Sequence, residues 1–521
     1  MSKSYEQKKN LNPHQLFQQF VKNKLYEYYI QINSYLSLVL NAHLIVKVLL
    51  LDLTKAEPIL RNCYSTPRGI KPRNPVCMLR SLIVMTLSGT NSITQWVDKM
   101  RSYPLFAILS GFESNDTPGV GTFYEFIERL WKDTPNKSHK KKLRIFKRKP
   151  RKKYKKGEKQ PLKHPGITRK LVNRIIHDEQ IPLSQRPQDT WNTLFKECFV
   201  LPSADLGILG NPKKLSVSGD GTPLETGASH FGHKVCNCKS KGIYDCTCPR
   251  YFSDPDASWG WDSYREKYVY GRTLYELVAA DSPYDLPVYF KLAQCQRHDS
   301  VLTITALNEF RKFYPELSIS EFLGDSANDS YPIYELLFHW IIEPFIALNE
   351  KNKGHFTYDP QPKINENGIP ICKNKTEMTF WGFCPDRHRL KWRCPLICGK
   401  ISKCKFFNCS KSDYGRVIYT KPKTDFRLFT PTPRDSSKWK KKYSKRTSSE
   451  RSNKRKKIDY NLEHCRVRST KHWFTRTMLI VMCQHVDAWL IHSKINPVQI
   501  INKWTNHSSK NILLTPISVV T

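Results

Sequence analysis

Residues 215–222 read LSVSGDGT. Leu215 and Val217 alternate with Ser216 and Ser218, which is a strand period, and the run ends on Asp220 between two glycines. Before Pro212 apolar residues recur at helical spacing; after it they recur at strand spacing. Small neighbours let a cation and a phosphate approach the acid, although Gly-Asp is also ordinary turn chemistry. A second junction of this kind lies downstream. Ile319–Leu323 is a short apolar run, and residues 324–329 read GDSAND. Tyr268–Ala280 and Leu286–Ala293 read as strands around the turn Asp281-Ser282-Pro283. Val301–Tyr314 and Tyr331–Trp340 read as helices, and Ile341–Leu348 as a last strand. Strands alternating with helices, with acids at strand ends, predict an α/β fold with a site at the sheet edge.

Working outward, residues 1–136 predict an all-helical N-terminal domain. Apolar residues keep helical spacing over Leu16–Leu53, Val76–Leu87 and Ile93–Leu109. Pro75 marks a helix start and Gly89 a helix end, and Asp116-Thr117-Pro118 precedes a helix over Phe123–Trp131. The most apolar stretch, Leu36–Leu53, is broken by Asn41, His43 and Lys47 and reads as a buried helix rather than a span. The start, MSKSYEQKKN, lacks a secretory apolar core. Residues 137–165 form a basic linker: fifteen of the twenty-seven residues from Lys137 to Lys163 are Lys or Arg, and only Glu158 is acidic. Such a tract neutralises phosphates without reading sequence. Residues 166–212 read as a helical connector, with helices over Thr168–Ile176 and Trp191–Phe199. A net charge of +39 points to a polyanionic partner, nucleic acid before an anionic membrane. Aromatic residues at 12% argue for folded domains rather than a disordered basic coat.

Residues 438–459 read KWKKKYSKRTSSERSNKRKKID. Gaps of three, four and seven place Tyr443, Arg446, Glu450 and Lys457 on one helical stripe, with Asn453 and Lys454 beside them. A solvated helix with ordinary Arg–Glu pairs has the same pattern. A lone carboxylate among cations also suits a metal ligand beside phosphates. With Asp220 and Asp325 it makes three oxygen donors of the kind that Mg²⁺ or Mn²⁺ prefers. Two such ions serve in-line phosphoryl transfer. Asp329, four residues after Asp325, is an alternative second ligand.

These residues together resemble a prokaryotic insertion-sequence transposase of the DDE type, in the group marked by a Y-R-E-K signature. All four signature positions are met, by Tyr443, Arg446, Glu450 and Lys457. The family's first two acids match Asp220 in Ser-Gly-Asp-Gly-Thr and Asp325 in Leu-Gly-Asp-Ser-Ala-Asn. His298-Asp299-Ser300 is similar to a triplet often found in relatives. The resemblance implies an RNase H-like mixed sheet flanked by helices, divided here as 213–350 and 436–495 around a Cys-rich insertion at 351–435. Thr470–Ser493 is a helix completing that core, and 496–521 is a tail. It implies catalytic Asp220, Asp325 and Glu450, Mg²⁺-dependent cleavage at transposon ends, and attack of the freed 3′-hydroxyl on target DNA. It carries DNA-holding roles to Tyr443, Arg446 and Lys457. A dimer on double-stranded DNA, in the cytoplasm with the nucleoid, is expected. Rival readings are an RNase H-like nuclease that does not join ends and an inactive zinc-containing DNA-binding protein.

The chain has sixteen cysteines. Cys236, Cys238, Cys246 and Cys248 form two CxC pairs, with His230 and His233 nearby, and could close a tetrahedral structural zinc site. Cys394, Cys398, Cys404 and Cys409, with Cys372 and Cys384 upstream, could staple the loop-rich insertion in the same way. Unliganded buried thiols would give the same counts. Trp381, Trp392 and Trp439 could receive a flipped base, or simply pack.

Overall fold

The computed structural model of the chain describes residues 12–30, 34–64, 72–132, 139–141, 165–262, 265–349, 363–406 and 408–506. Most of the basic linker, and residues 507–521 of the tail, lie outside them. The N-terminal region is helical: α1 (Pro13–Leu25), α2 (Leu36–Leu40), α3 (Ala42–Leu50), α4 (Ala56–Arg61), α5 (Pro75–Leu87), α6 (Ile93–Ser102), α7 (Pro104–Ser110) and α8 (Val120–Leu130). Local chemistry sets several of these ends. Asn12 and Gln15 form a reciprocal capping box on α1, and Asn74 caps α5 just before Pro75. The connector carries α9 (Ile167–His177), α10 (Asp189–Phe195) and α11 (Leu201–Asp205).

The central sheet is built from β1 (Leu215–Glu225), β2 (Ser258–Asp262), β3 (Lys267–Ala279), β4 (Pro287–Gln294), β5 (Ile319–Gly324) and β6 (Glu343–Ile346). Across it the order is β4–β3–β1–β5–β6. The β1–β3 and β3–β4 pairs are antiparallel, and β5 and β6 run parallel to β1. This is the RNase H-like mixed sheet. Parallel neighbours need crossovers, and here α12 (Asp299–Phe313) joins β4 to β5 while α13 (Tyr331–His339) joins β5 to β6. The topology sets the carboxyl end of β5 beside the middle of β1, which runs on past Asp220 to Glu225 instead of ending there, because residues 221–225 stay paired with β3. The strand β2, which the sequence pattern did not announce, pairs with residues 267–271 of β3, and β4 takes 272–278.

Three further strands, β7 (Thr379–Cys384), β8 (Arg389–Arg393) and β9 (Val417–Thr420), form an antiparallel sheet of the insertion. It has a small core of its own around Met378, Leu390, Trp392 and Phe429. The chain then returns through α14 (Ser437–Tyr443), α15 (Thr447–Ile458), α16 (Ser469–Ser493) and α17 (Pro497–Asn506). The long helix α16 is the spine of the molecule. Trp473, Met478, Ile480, Met482 and Val486 are buried, and it packs on α3 and α5 as well as on β4. A helix covered on several sides shows no single apolar stripe. Among the described residues no helix is long and apolar enough to cross a membrane.

One local expectation changes. Tyr443 and Arg446–Lys457 do not share one continuous helix, because a 3₁₀ turn over Ser444–Arg446 separates α14 from α15. The hydroxyls of Ser444 and Thr447 donate to the carbonyls of Lys441 (2.9 Å) and Ser444 (3.1 Å), competing with the helical ladder. Lys442 and Lys445 meanwhile reach Asp281 at 3.2 and 2.6 Å, which pins the break to the end of β3.

Candidate active site

Three elements bring aspartates together at the sheet edge. Asp220 comes from the middle of β1, Asp325 directly follows β5, and Asp299 is the first residue of α12. All three are half-buried. Gly221 is what lets Asp299 in, since a Cβ there would stand 2.2 Å from the Asp299 Oδ1. Gly219 is equally constrained: a Cβ would stand 2.3 Å from the Tyr275 hydroxyl. Asp325 Oδ1 accepts from the Ala327 amide (3.1 Å) and the Asn328 side chain (3.0 Å), which holds it as the cap of a short 3₁₀ turn. Burial, and then the charges of Asp299, Asp325 and Glu276, push the Asp220 carboxyl up to about 7, against the pull of Arg446. Burial and Asp325 push Asp299 up to about 6. The cluster concentrates negative charge in a strongly cationic chain.

Helix α15 packs across β1. Ser218 Oγ donates to the Arg446 carbonyl (2.8 Å) and lies 2.9 Å from Ser449 Oγ, and Asn453 donates to Asp220 Oδ2 (3.3 Å). Glu450 sits at the rim, half exposed, with its carboxylate on Arg446 at 2.7 Å. The Tyr443 ring stacks on Trp439 at 4.6 Å, with the Arg446 guanidinium 5.8 Å from its centre. Lys457 donates to the carbonyl of Pro223 (2.8 Å), which follows Asp220 and Thr222 along β1. Behind the cluster, Glu276 faces Asp220 across the strand pair and is met by the buried Lys456. Among the described residues no three carboxylates have oxygens all within 4.8 Å of one another. The structure brings Asp220, Asp299 and Asp325 close enough for their charges to act on one another, without closing them into one tight ligand set, and leaves Glu450 in the grip of Arg446.

Asp329 has a different place. Its carboxylate takes a paired Arg427 contact (2.8 and 2.7 Å), the Asn349 amide (2.7 Å) and the Tyr334 hydroxyl (3.1 Å), and its side chain is fully buried. With both oxygens committed, Asp329 ties the insertion to the sheet, and Asp325 is the acid left facing the cluster. Asp299 was legible only through its His-Asp-Ser context; Glu276 and Lys456 carried no signal, because an acid and a lysine in a strand and a basic helix look solvated.

The first cysteine group assembles. The Sγ atoms of Cys236 and Cys246 lie 3.5 Å apart, those of Cys238 and Cys248 3.6 Å apart, and all four fall within 4.8 Å of one another. His230 is not part of it: its ring packs on Phe231 and Trp259. The second group does not assemble as expected. Cys394, Cys404 and Cys409 line one small cavity with Cys372, whereas Cys398 closes a turn on Cys394 (3.1 Å) and is not in that lining. Trp392 is core, donating to Thr420, and Trp381 remains exposed under Arg393.

Residues 220–484, a little over half of the 521-residue chain, match the transposase DDE domain family. The chain belongs to that family. The DDE domain so delimited opens on Asp220 and encloses Asp299, Asp325, the insertion and α15. Its match runs into α16 and leaves the N-terminal helices outside. Similar solved structures include a cryo-EM structure of the piggyBac transposase synaptic complex with hairpin DNA. It is 11% identical over 65% of this chain and 69% of that one, with a TM-score of 0.27. No curated protein matches the chain.

Proposed function

We propose that this protein is a DNA transposase that cuts DNA at transposon ends and joins the freed 3′ ends to target DNA. The observation that carries the reading is the convergence of Asp220, Asp299 and Asp325, from a strand, a helix start and a second strand end, in a chain of net charge +39. The donor set suits a hard divalent cation. Asp220 has only the neutral Asn453 amide as a hydrogen-bond partner among the described residues, and burial, then its like-charged neighbours, raise its proton affinity. Asp220 and Asp325, with Asp299 beside them and Glu450 recruited from the rim, would hold Mg²⁺ or Mn²⁺. Bound ions would supply positive charge at the attacking and leaving oxygens of an in-line displacement.

The chain's own residues do the rest. Arg446 and Lys457 present cations on either side of the acids, where DNA phosphates would lie. The stacked Tyr443–Trp439 pair gives Arg446 a rigid aromatic floor. The Cys236–Cys248 quartet fits a tetrahedral zinc ion that would staple a segment with little core of its own. A dimer on DNA is the working assembly.

The test is cleavage of an end-bearing duplex with Mg²⁺. Asp220→Asn and Asp325→Asn should each abolish product while leaving duplex binding, and pre-cut ends should still be joined by the wild type. Full cleavage by either variant sinks the reading; cleavage with no joining by the wild type reduces it to a nuclease.

A further inference from the structure

A second cationic surface lies well away from the acids. A groove of about 670 Å³ separates α5, α8 and the start of α6 from the loop after α15 and the first turns of α16. Its charged lining is Arg466, Arg468 and Arg476 with His464 and His472, and it includes no Asp or Glu. The nearby acids are engaged elsewhere: Glu128 by Lys471, and Glu463 by Lys457 and Arg265. Arg476 is held by neutral partners only, the carbonyls of Leu462 (2.9 Å) and Asn461 (2.6 Å) and the Asn91 side chain (3.1 Å). Among the described residues Arg468 bonds only its neighbour's carbonyl, at 3.1 Å, and Arg466 is exposed with no partner. A rigid groove whose cations lack carboxylates offers a fixed positive potential to an anionic partner.

The groove also has a bounded distance from the acids. The Arg468 guanidinium stands 3.6 Å from where a Cβ on Gly227 would lie, and Gly227 lies two residues past the end of β1, seven residues after Asp220. At roughly 3.3 Å per residue of extended chain the span is at most about 23 Å. A duplex rises about 3.4 Å per base pair, so the same span covers at most about seven base pairs.

We infer that this groove seats the sugar–phosphate backbone of a DNA duplex within about seven base pairs of the strand end held at Asp220 and Asp325. The occupant is a phosphodiester backbone, because the lining combines fixed cations with the hydroxyl and amide groups of Thr86, Asn91, Ser92, Gln95 and Thr475, the kinds of donor that phosphate oxygens take. The inference rests on the transposase reading and adds a second anchor, outside the acid cluster, that sets the angle of the duplex.

The test uses the full chain and a blunt duplex of about three helical turns. Arg466→Ala with Arg468→Ala should lower the slope of log affinity against log salt by about two, near 0.9 per lost phosphate contact. The paired Lys substitutions at the same two positions should restore the slope, and Lys400→Ala with Lys403→Ala in the insertion should leave it unchanged. Ethylation of phosphates within about seven base pairs of the end should interfere with binding by the wild type and, at the groove's phosphates, not by the double Ala variant. A slope equal to the wild type in the double Ala variant overturns the groove alone. Absence of both duplex binding and cleavage in the wild type overturns the transposase reading, and the groove with it.

Discussion

Lys456 and Glu276 form an ion pair with no solvent exposure on either side chain, and Glu276 stands opposite Asp220 across the β1–β3 pair. Ser452 completes it, accepting from Lys456 at 2.7 Å and donating to Glu276 at 3.4 Å. Removing one partner strands a buried charge. Lys456→Met should cost about 3–5 kcal/mol in urea unfolding, and adding Glu276→Gln should recover most of it. A single variant as stable as the wild type would show that the pair is open to water.

Gly221 tests whether Asp299 matters to the acid cluster. Gly221→Ala places a Cβ 2.2 Å from the Asp299 carboxylate, so that side chain must move. Divalent-dependent cleavage should fall at least about tenfold, the loss of roughly 1.4 kcal/mol of transition-state stabilisation. Gly121→Ala, in α8 with open space around it, should be neutral or stabilising by up to about 1 kcal/mol. Equal cleavage by both variants would remove Asp299 from the site.

Asp325 and Asp329 should separate cleanly. Asp329→Asn leaves Arg427 buried without its carboxylate and should lower stability by about 3 kcal/mol. Asp325→Asn should keep the melting temperature within a few degrees and lose cleavage. Thermal unfolding beside an end-cleavage assay distinguishes the two, and a stable, inactive Asp329→Asn protein would reverse the assignment.

His485 gives the fold an acid limit. Trp489 donates to Ser203 Oγ (2.8 Å), Ser203 lies 2.7 Å from His485 Nδ1, and His485 Nε2 lies 2.9 Å from the Pro287 carbonyl. That network satisfies a neutral ring, and burial pushes its value down to about 4 from an ordinary 6.5. The folded state therefore binds fewer protons than the unfolded state between those values. Stability should be full above about 6.5 and decline as the pH falls toward 4, by about 3 kcal/mol in all. His485→Gln should flatten that part of the urea-midpoint profile; an unchanged slope would assign the acid sensitivity elsewhere.

The zinc reading predicts one equivalent of zinc per chain by elemental analysis. Cys238→Ser should lose it, and Cys398→Ser should not. Zinc retained by the Cys238→Ser protein would move the site out of the quartet.

Much of the architecture was legible from local patterning. The alternation at Leu215–Ser218 and the apolar run at Ile319–Leu323 both became strands, because side-chain period is a property of neighbouring residues. The break at Ser444–Arg446 was not legible, since hydroxyl back-bonding and the distant Asp281 decide it. The segment holding α17 read as uninformative, although its Val498, Ile501 and Trp504 keep helical spacing and Ile501 and Trp504 are buried.

By itself the amino-acid sequence determined that two acids lie in or just past apolar strands and that a basic helix carries a single glutamate, because composition and spacing are written along the chain. Only the tertiary structure decided which acids meet. Asp325 and Asp329 are four residues apart with the same local chemistry, and Arg427, ninety-eight positions from Asp329, is what separates them. Its desolvated charge claims one carboxylate for the core and leaves the other at the edge of the sheet.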